Sequence, residues 1–226
     1  MIPSDPSPDR TPPLERAAPA RRQVERLPDY AGPPAGLVLA RAFYHDPMFV
    51  YLLPAAATRG GRLRWFMERG LATGRLFGAV DAVLQDGQPD GLAIWIRPEQ
   101  TDLGPAQMLR TGVAALPIRF GLGGFRRFVK LVALSEAARR VAMPEPHWSL
   151  LTLGVDPARQ RAGVGGALVR HGTARADAAG VPCFLETMNE ANLPFYRRAG
   201  FRVVHEAEVP GGGLHVWSLR RDVGGG

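Results

Sequence analysis

The chain has 226 residues, 46% of them hydrophobic, enough to bury one sizeable core in a single domain. Its formal charge of +7 favours anionic partners, but the arginines are scattered without a block of five consecutive basic residues, so a nucleic-acid surface is a minor reading. Cys183 is the sole cysteine, which excludes an internal disulfide, and no stretch approaches the ~18 apolar residues of a membrane span. A soluble cytoplasmic protein, with neither a nucleic-acid nor a membrane partner, is the expectation.

Residues 1–20 are rich in Pro, Ser, Asp and Arg and read as a disordered leader before a single domain over 21–222, with 223–226 as a flexible tail. Gln23 to Leu27 suggests a short first strand. Apolar spacing predicts helices over 34–44, ended by His45-Asp46-Pro47, and over 58–71, with Thr58 as N-cap. Arg75 to Leu84 and Gly91 to Ile96 read as two strands of an antiparallel hairpin, turned across residues 85–90 with Asp86-Gly87 near the start. Helical spacing returns over 103–140, broken at Pro117 and at Gly121, Gly123 and Gly124, so two helices meeting at a bend are expected there.

Strands follow at Trp148 to Val155 and at Cys183 to Thr187, separated by a helix over 163–179 that Gly180 would stop. A short helix over 192–199 carries Pro194 in its first turn and Gly200 just past its end. Two last strands, 201–209 and 214–219, join across Pro210 to Gly213. The economical architecture is an α/β (α+β) mixed sheet flanked by helices.

The run from Leu151 to Leu168 concentrates the chemistry. A strand ends at Asp156-Pro157, and Gly163, Gly165 and Gly166 strip side chains from the point where the next helix begins. Free N–H groups and partial positive charge at that terminus suit a phosphate or pyrophosphate. Gln160-Arg161-Ala162-Gly163-Val164-Gly165 has the form Gln-x-x-Gly-x-Gly, a pattern that a tight strand-to-helix connection also explains. A dinucleotide fingerprint would set its glycines directly after the strand, whereas Asp156 to Ala162 intervenes here and Leu168 holds its sixth position. Glu186 lies about 20 residues on, where a ribose-binding acid would sit, so that reading is demoted rather than removed. Further on, Asn192 and Tyr196 are one helical turn apart on one face; taken alone, Asn192 reads as an N-cap and Tyr196 as a packed residue with a satisfied hydroxyl.

Taken together, Gln160 to Gly165 between a strand and a helix, and Asn192-Leu-Pro-Phe-Tyr196-Arg-Arg-Ala-Gly200-Phe201, resemble the GNAT superfamily of acetyl-CoA-dependent N-acetyltransferases. The likeness covers roughly the last third of the chain, and Ala42-Phe43 with Asp46-Pro47 also echoes the first helix of many members. It implies a mostly antiparallel sheet in which two neighbouring strands splay apart to hold acetyl-CoA. The backbone of Leu153 and Val155 would pair with the pantetheine arm. The loop Gln160, Arg161, Ala162, Gly163, Val164, Gly165 and Gly166 would hold the pyrophosphate, with charge from Arg159 and Arg161 nearby. Asn192 would bond the cofactor and Tyr196 would face the thioester sulfur.

A general base is less legible. Glu186, next to the loop in that fold, comes first, with a satisfied polar residue at a strand end as its competing reading. His147 comes second and His45 third, and a route without a base remains open. The acceptor implied by the resemblance is a small-molecule primary amine, an aminoacyl-nucleoside-like antibiotic being one candidate, in a self-resistance or tailoring enzyme. A protein or peptide N-acetyltransferase and a non-catalytic acetyl-CoA-binding module are the alternatives. No metal is implied, and a homodimer is left open.

Overall fold

A computed structural model describes residues 23–100 and 105–225, so the expected leader at 1–20 lies outside the described residues. Among the described residues, three helices lie between the first short strand and the rest of the sheet. α1 (Gly32–Ala42) lies close to its expected span, α3 (Ala56–Phe77) starts near the expected position but runs six residues past 71, and a six-residue α2 (Pro47–Leu52) intervenes. Asp46 does not merely end α1. Its carboxylate accepts from the Met48 amide at 3.0 Å and so caps α2, with Pro47 at the first helical position, where a missing N–H costs little.

Arg75 to Phe77, expected as strand, complete the last turn of α3, and β2 begins at Gly78 (Gly78–Gln85). Packing decides that boundary. A Cβ on Gly78 would stand 1.7 Å from the Trp95 carbonyl oxygen, so only glycine lets the chain pass from helix into sheet there. The hairpin to β3 (Gln88–Ile96) is tighter than the expected six-residue turn. Gln85 pairs with Gln88, leaving Asp86 and Gly87 at φ 52° and 74° as a two-residue loop whose twist matches the strands.

α4 (Pro105–Thr111) and α5 (Leu116–Ala142) fill the helical region. α5 breaks at Gly121, whose φ of 71° and ψ of 168° produce the expected bend. β4 (Trp148–Val155), α6 (Val164–Ala178), β5 (Cys183–Thr187), α7 (Leu193–Arg198), β6 (Arg202–Val209) and β7 (Leu214–Arg221) follow near their expected bounds. The short first strand survives as β1 (Glu25–Arg26) on β2. After β7 the Gly224 amide donates to Asp177 at 2.8 Å, and Asp177 also binds Arg221 through both of its oxygens.

Among the described residues seven strands run in the order β1-β2-β3-β4-β5-β7-β6, and of these β4 with β5 is the parallel pair in an otherwise antiparallel sheet. Alternation sorts the side chains into two layers. Val80, Ala82, Leu92 and Ile94 meet α1, α2, α3 and the start of α5, while Ala79, Val83, Ala93, Trp95, Leu150 and Leu185 meet α6 and α7. A third cluster joins the middle of α5 to β6 and β7 through Leu131, Val209, Leu214 and Val216. Both faces of the central strands are therefore covered, and β4 parts from β5 after Leu150.

Candidate active site

β4 and β5 pair at Trp148 with Cys183, Ser149 with Phe184 and Leu150 with Leu185, and there the pairing stops. β4 continues for five more residues along β3 alone. A bulge starts the divergence: Trp95 faces Leu150 and Ile94 faces Thr152, so Leu151 has no partner on β3. Beyond it the antiparallel alternation fixes which groups face the gap. The Asp156 amide bonds the Asp90 carbonyl on β3 at 2.8 Å, so the groups of Leu153 and Val155, two residues apart and out of phase with Asp156, point away from β3. Gly154 supports this geometry from behind. A Cβ there would meet Leu39 at 2.6 Å and Phe43 at 3.1 Å, so glycine lets the C-terminal half of α1 lie on the splayed part of β4.

The loop after β4 is exposed from Pro157 to Gly163. Asp156 braces its start, accepting from the Ala158 amide at 3.0 Å and from the Arg41 guanidinium, and Gln160 Nε2 donates to the Val155 carbonyl at 3.4 Å. Arg159 is paired with Asp90 at 3.3 Å, and Asp90 is buried. Arg161 (φ 62°) and Gly163 (φ 83°) take left-handed conformations that turn the chain into α6, whose first internal bond is Ala167 to the Gly163 carbonyl at 3.0 Å. The amides of Val164, Gly165 and Gly166 therefore have no carbonyl a turn back, and they face out of the helix end. A Cβ at Gly165 would lie in ordinary contact, 3.6 Å from Phe195 and Val155. Backbone donors at the helix terminus beside an open strand edge fit a pyrophosphate followed by an amide-bearing arm, the donor set that a CoA thioester requires.

Tyr196 on α7 closes the α6 side of the gap. It is 8% exposed and packed edge-on to Phe195 and Phe201 at centroid distances of 5.1 and 6.0 Å. Among the described residues no group bonds its hydroxyl, unlike the satisfied hydroxyl of the packed-residue reading. Burial, and secondarily the Asp46 charge, push its phenol above the usual tyrosine range. Asn192 stands at the start of α7 but makes no capping bond with its side chain; its Nδ2 donates instead to Thr187 Oγ1 at 3.3 Å, at the end of β5, while Asn189 caps the short turn before α7, accepting from the Ala191 amide at 3.1 Å.

The opposite side of the gap carries the acids. Glu186 points toward α5, its carboxyl receiving the Ser218 hydroxyl at 2.9 Å and a bond from Ser135. Burial raises it above the usual carboxylate range against the pull of those bonds. Asp46, at the start of α2, is close enough for its charge to act on the Tyr196 phenol, and its carboxyl is itself raised by burial. The local signal for it was an Asp-Pro pair that reads equally as a helix start. His147 stands apart at the closed end of the strand pair, 1% exposed. Its Nδ1 lies on the Glu145 carbonyl at 2.7 Å, and burial holds it below the usual histidine range. His45 is exposed at the end of α1, edge-on to Tyr44. The structure thus sets Leu153, Val155, the loop, Asn192, Tyr196 and Glu186 around the end of the β4–β5 pairing and leaves His147 at its closed end.

The model of the Acetyltransferase (GNAT) family matches residues 117–201, a segment that contains β4, the loop, α6, β5 and α7. Among solved structures, a Corynebacterium glutamicum protein described as histone acetyltransferase HPA2 and related acetyltransferase is 23% identical, over 88% of this chain and 95% of its own, with a TM-score of 0.63. Arylalkylamine N-acetyltransferase 2 from Aedes aegypti is 11% identical over 89% and 98%, also with a TM-score of 0.63. Drosophila melanogaster polyamine N-acetyltransferase is 15% identical over 88% and 100%, with a TM-score of 0.55. At these identities the structures show a shared fold, the mostly antiparallel sheet flanked by helices. The family match over residues 117–201 covers the strand, loop and helices that build this gap, and the shared fold extends over the rest of the described chain.

Proposed function

We propose that this enzyme transfers the acetyl group of acetyl-CoA to the primary amine of a small molecule. The observation that carries the reading is the parting of β4 from β5 after Leu150 and Leu185, with free helix-end amides on one side and two acids on the other. When bound, acetyl-CoA supplies the acyl group and a thiol leaving group. The amides of Gly163 to Gly166 hold its pyrophosphate, the edge of Leu153 and Val155 orients the arm, and Asn192 fixes its position. Tyr196 keeps its proton. A free phenol at about 10 is already harder to ionise than a thiol at about 8.5, and burial widens that difference. Its hydroxyl therefore acts as a hydrogen-bond donor at the sulfur rather than as a full proton donor. Glu186 takes the amine proton, a role that suits a carboxyl raised toward neutrality.

The finer reading is an aminoacyl-nucleoside-like antibiotic as acceptor. It is supported by the resemblance of Ala179 to Thr187, Asn192 to Phe201 and Glu208 to Pro210 to puromycin N-acetyltransferase. Helix α5 lies over the acceptor side of the gap, contacting Glu186 through Ser135, which fits a roofed pocket for a small molecule. Thiol release from acetyl-CoA, measured with puromycin, arylalkylamines, polyamines and a lysine peptide, tests the reading. Turnover with a small amine and none with the peptide is expected. Turnover confined to the peptide would overturn the small-molecule reading, and no amine-dependent thiol release from any acceptor would overturn the enzymatic one.

A further inference from the structure

The outer side of α4 and α5 differs from the rest of the surface in two ways. Among the described residues the four large apolar side chains most open to solvent are Ile118 (87% exposed), Val141 (78%), Leu109 (72%) and Leu122 (64%), and all four lie on these two helices. Single exposed apolar residues are ordinary, but their concentration on one element marks a contact surface. Charge is concentrated there too. From 105 to 142 the chain carries seven arginines or lysines and one acid, Glu136, an excess of six in a chain whose formal charge is +7. Glu136 is itself paired with Arg139 at 2.7 Å, whereas Arg119, Arg126, Lys130 and Arg140 are exposed and pair with no acid among the described residues.

Helical spacing puts both properties on one stripe. After the break at Gly121, Leu131 and Ala138 are buried, Leu131 in the cluster with β6 and β7. On the opposite side Leu122, Arg126, Val129, Ala133 and Arg140 follow one another one or two turns apart, and all are exposed.

That mixture decides the kind of partner. A protein interface gathers its apolar side chains in a core depleted of charge, and two copies of this face would bring like charges together. Nucleic acid would use the cations and leave Ile118 and Leu122 in water. An anionic bilayer surface uses both, because leucine, isoleucine and valine enter the boundary of the acyl chains while the long stems of arginine and lysine carry their charge to the headgroups. Among the described residues no helix is long and apolar enough to cross a membrane, which bears on crossing a bilayer and not on lying against one.

We propose that the outer side of α4 and α5 docks this protein on an anionic membrane surface, with Leu109, Ile118, Leu122 and Val129 at the acyl boundary and Arg126 and Arg140 on the lipid phosphates. The inner side of α5, which bonds Glu186 through Ser135, stays in place, so docking does not use the acetyl-transfer site and does not depend on that reading.

Co-sedimentation of the full chain with sucrose-loaded vesicles, of phosphatidylcholine alone or with about a third phosphatidylglycerol, tests this. Wild type is expected to partition about tenfold or more in favour of the anionic vesicles. Ile118→Ser with Leu122→Ser removes apolar surface at constant charge, and Arg126→Glu with Arg140→Glu reverses charge at constant apolar surface. Each pair should lower the partition about tenfold or more and keep the melting temperature near wild type, since all four side chains are exposed. No preference of wild type for the anionic vesicles, or an undiminished partition of the serine pair, would overturn the proposal. So would a wild-type dimer that the serine pair dissociates, which assigns the face to a second copy, or tighter binding to duplex DNA than to the anionic vesicles, which assigns it to nucleic acid.

Discussion

Single side chains make the account testable. Tyr196→Phe deletes one hydroxyl from a ring held by Phe195 and Phe201, so the fold and acetyl-CoA affinity should be kept. Turnover should fall about tenfold or more, the scale of a lost hydrogen bond to developing charge. Equal turnover in the two proteins would remove the role. Glu186 permits a sharper test because its two functions oppose each other. Its carboxyl is raised in the folded protein, so the neutral form stabilises the fold at low pH, and that contribution is lost as pH rises through the folded value. Glu186→Gln, neutral at every pH, should therefore melt higher than wild type at neutral pH and show no gain well below the ordinary glutamate value of about 4. As the proton acceptor it should also lose the acidic limb of kcat/KM, after correction for the amine's own ionisation, with a rate loss of about 100-fold. A gain in melting temperature with an unchanged pH profile would leave Glu186 a buried polar residue and nothing more.

At the scale of elements, the close crossing of α6 over β3 positions the cofactor loop. A Cβ on Gly172 would lie 2.2 Å from the Trp95 indole, and Trp95 is fully buried. Gly172→Ala should cost about 1–3 kcal/mol by overpacking, read as a lower melting temperature, and the cost should shrink in a Trp95→Phe background. Equal costs in the two backgrounds would show that the helix does not rest on that ring. The same packing marks the boundary of what was legible in the sequence. β4, β5, α6 and α7 carry local signals, an alternating run, a glycine start, a glycine stop and a proline in the first turn, and each lies within a residue or two of its expected span. The switch from α3 to β2 was misplaced by three residues because it depends on Gly78 against Trp95, a contact between positions far apart in sequence. α2 was missed because Asp46-Pro47 ends one helix and starts another with the same two residues. In the site, motif residues were legible and converging ones were not: nothing local distinguishes His147, at the closed end of the strand pair, from Asp46, whose charge acts on Tyr196.

Across the whole molecule, the sheet divides the labour. α6 and α7 cover the face that presents the helix-end amides and Tyr196, and α1, α2 and α5 cover the face that presents Asp46 and Glu186. The gap between β4 and β5 lies between the two layers, where under the proposed function an acyl group from the first face would meet an amine on the second. Among the described residues no helix is long and apolar enough to cross a membrane. The claim on which the rest depends is that the loop before α6 binds the pyrophosphate of acetyl-CoA, and calorimetric titration of acetyl-CoA into wild type, Gly165→Ala and Gly165→Glu tests it most directly. A Cβ is accommodated at this position in ordinary contact, so Gly165→Ala should bind within a few-fold of wild type. Gly165→Glu sets a carboxylate among the amides and should abolish binding with the circular dichroism spectrum unchanged. A folded Gly165→Glu protein that binds acetyl-CoA as wild type does would contradict the account.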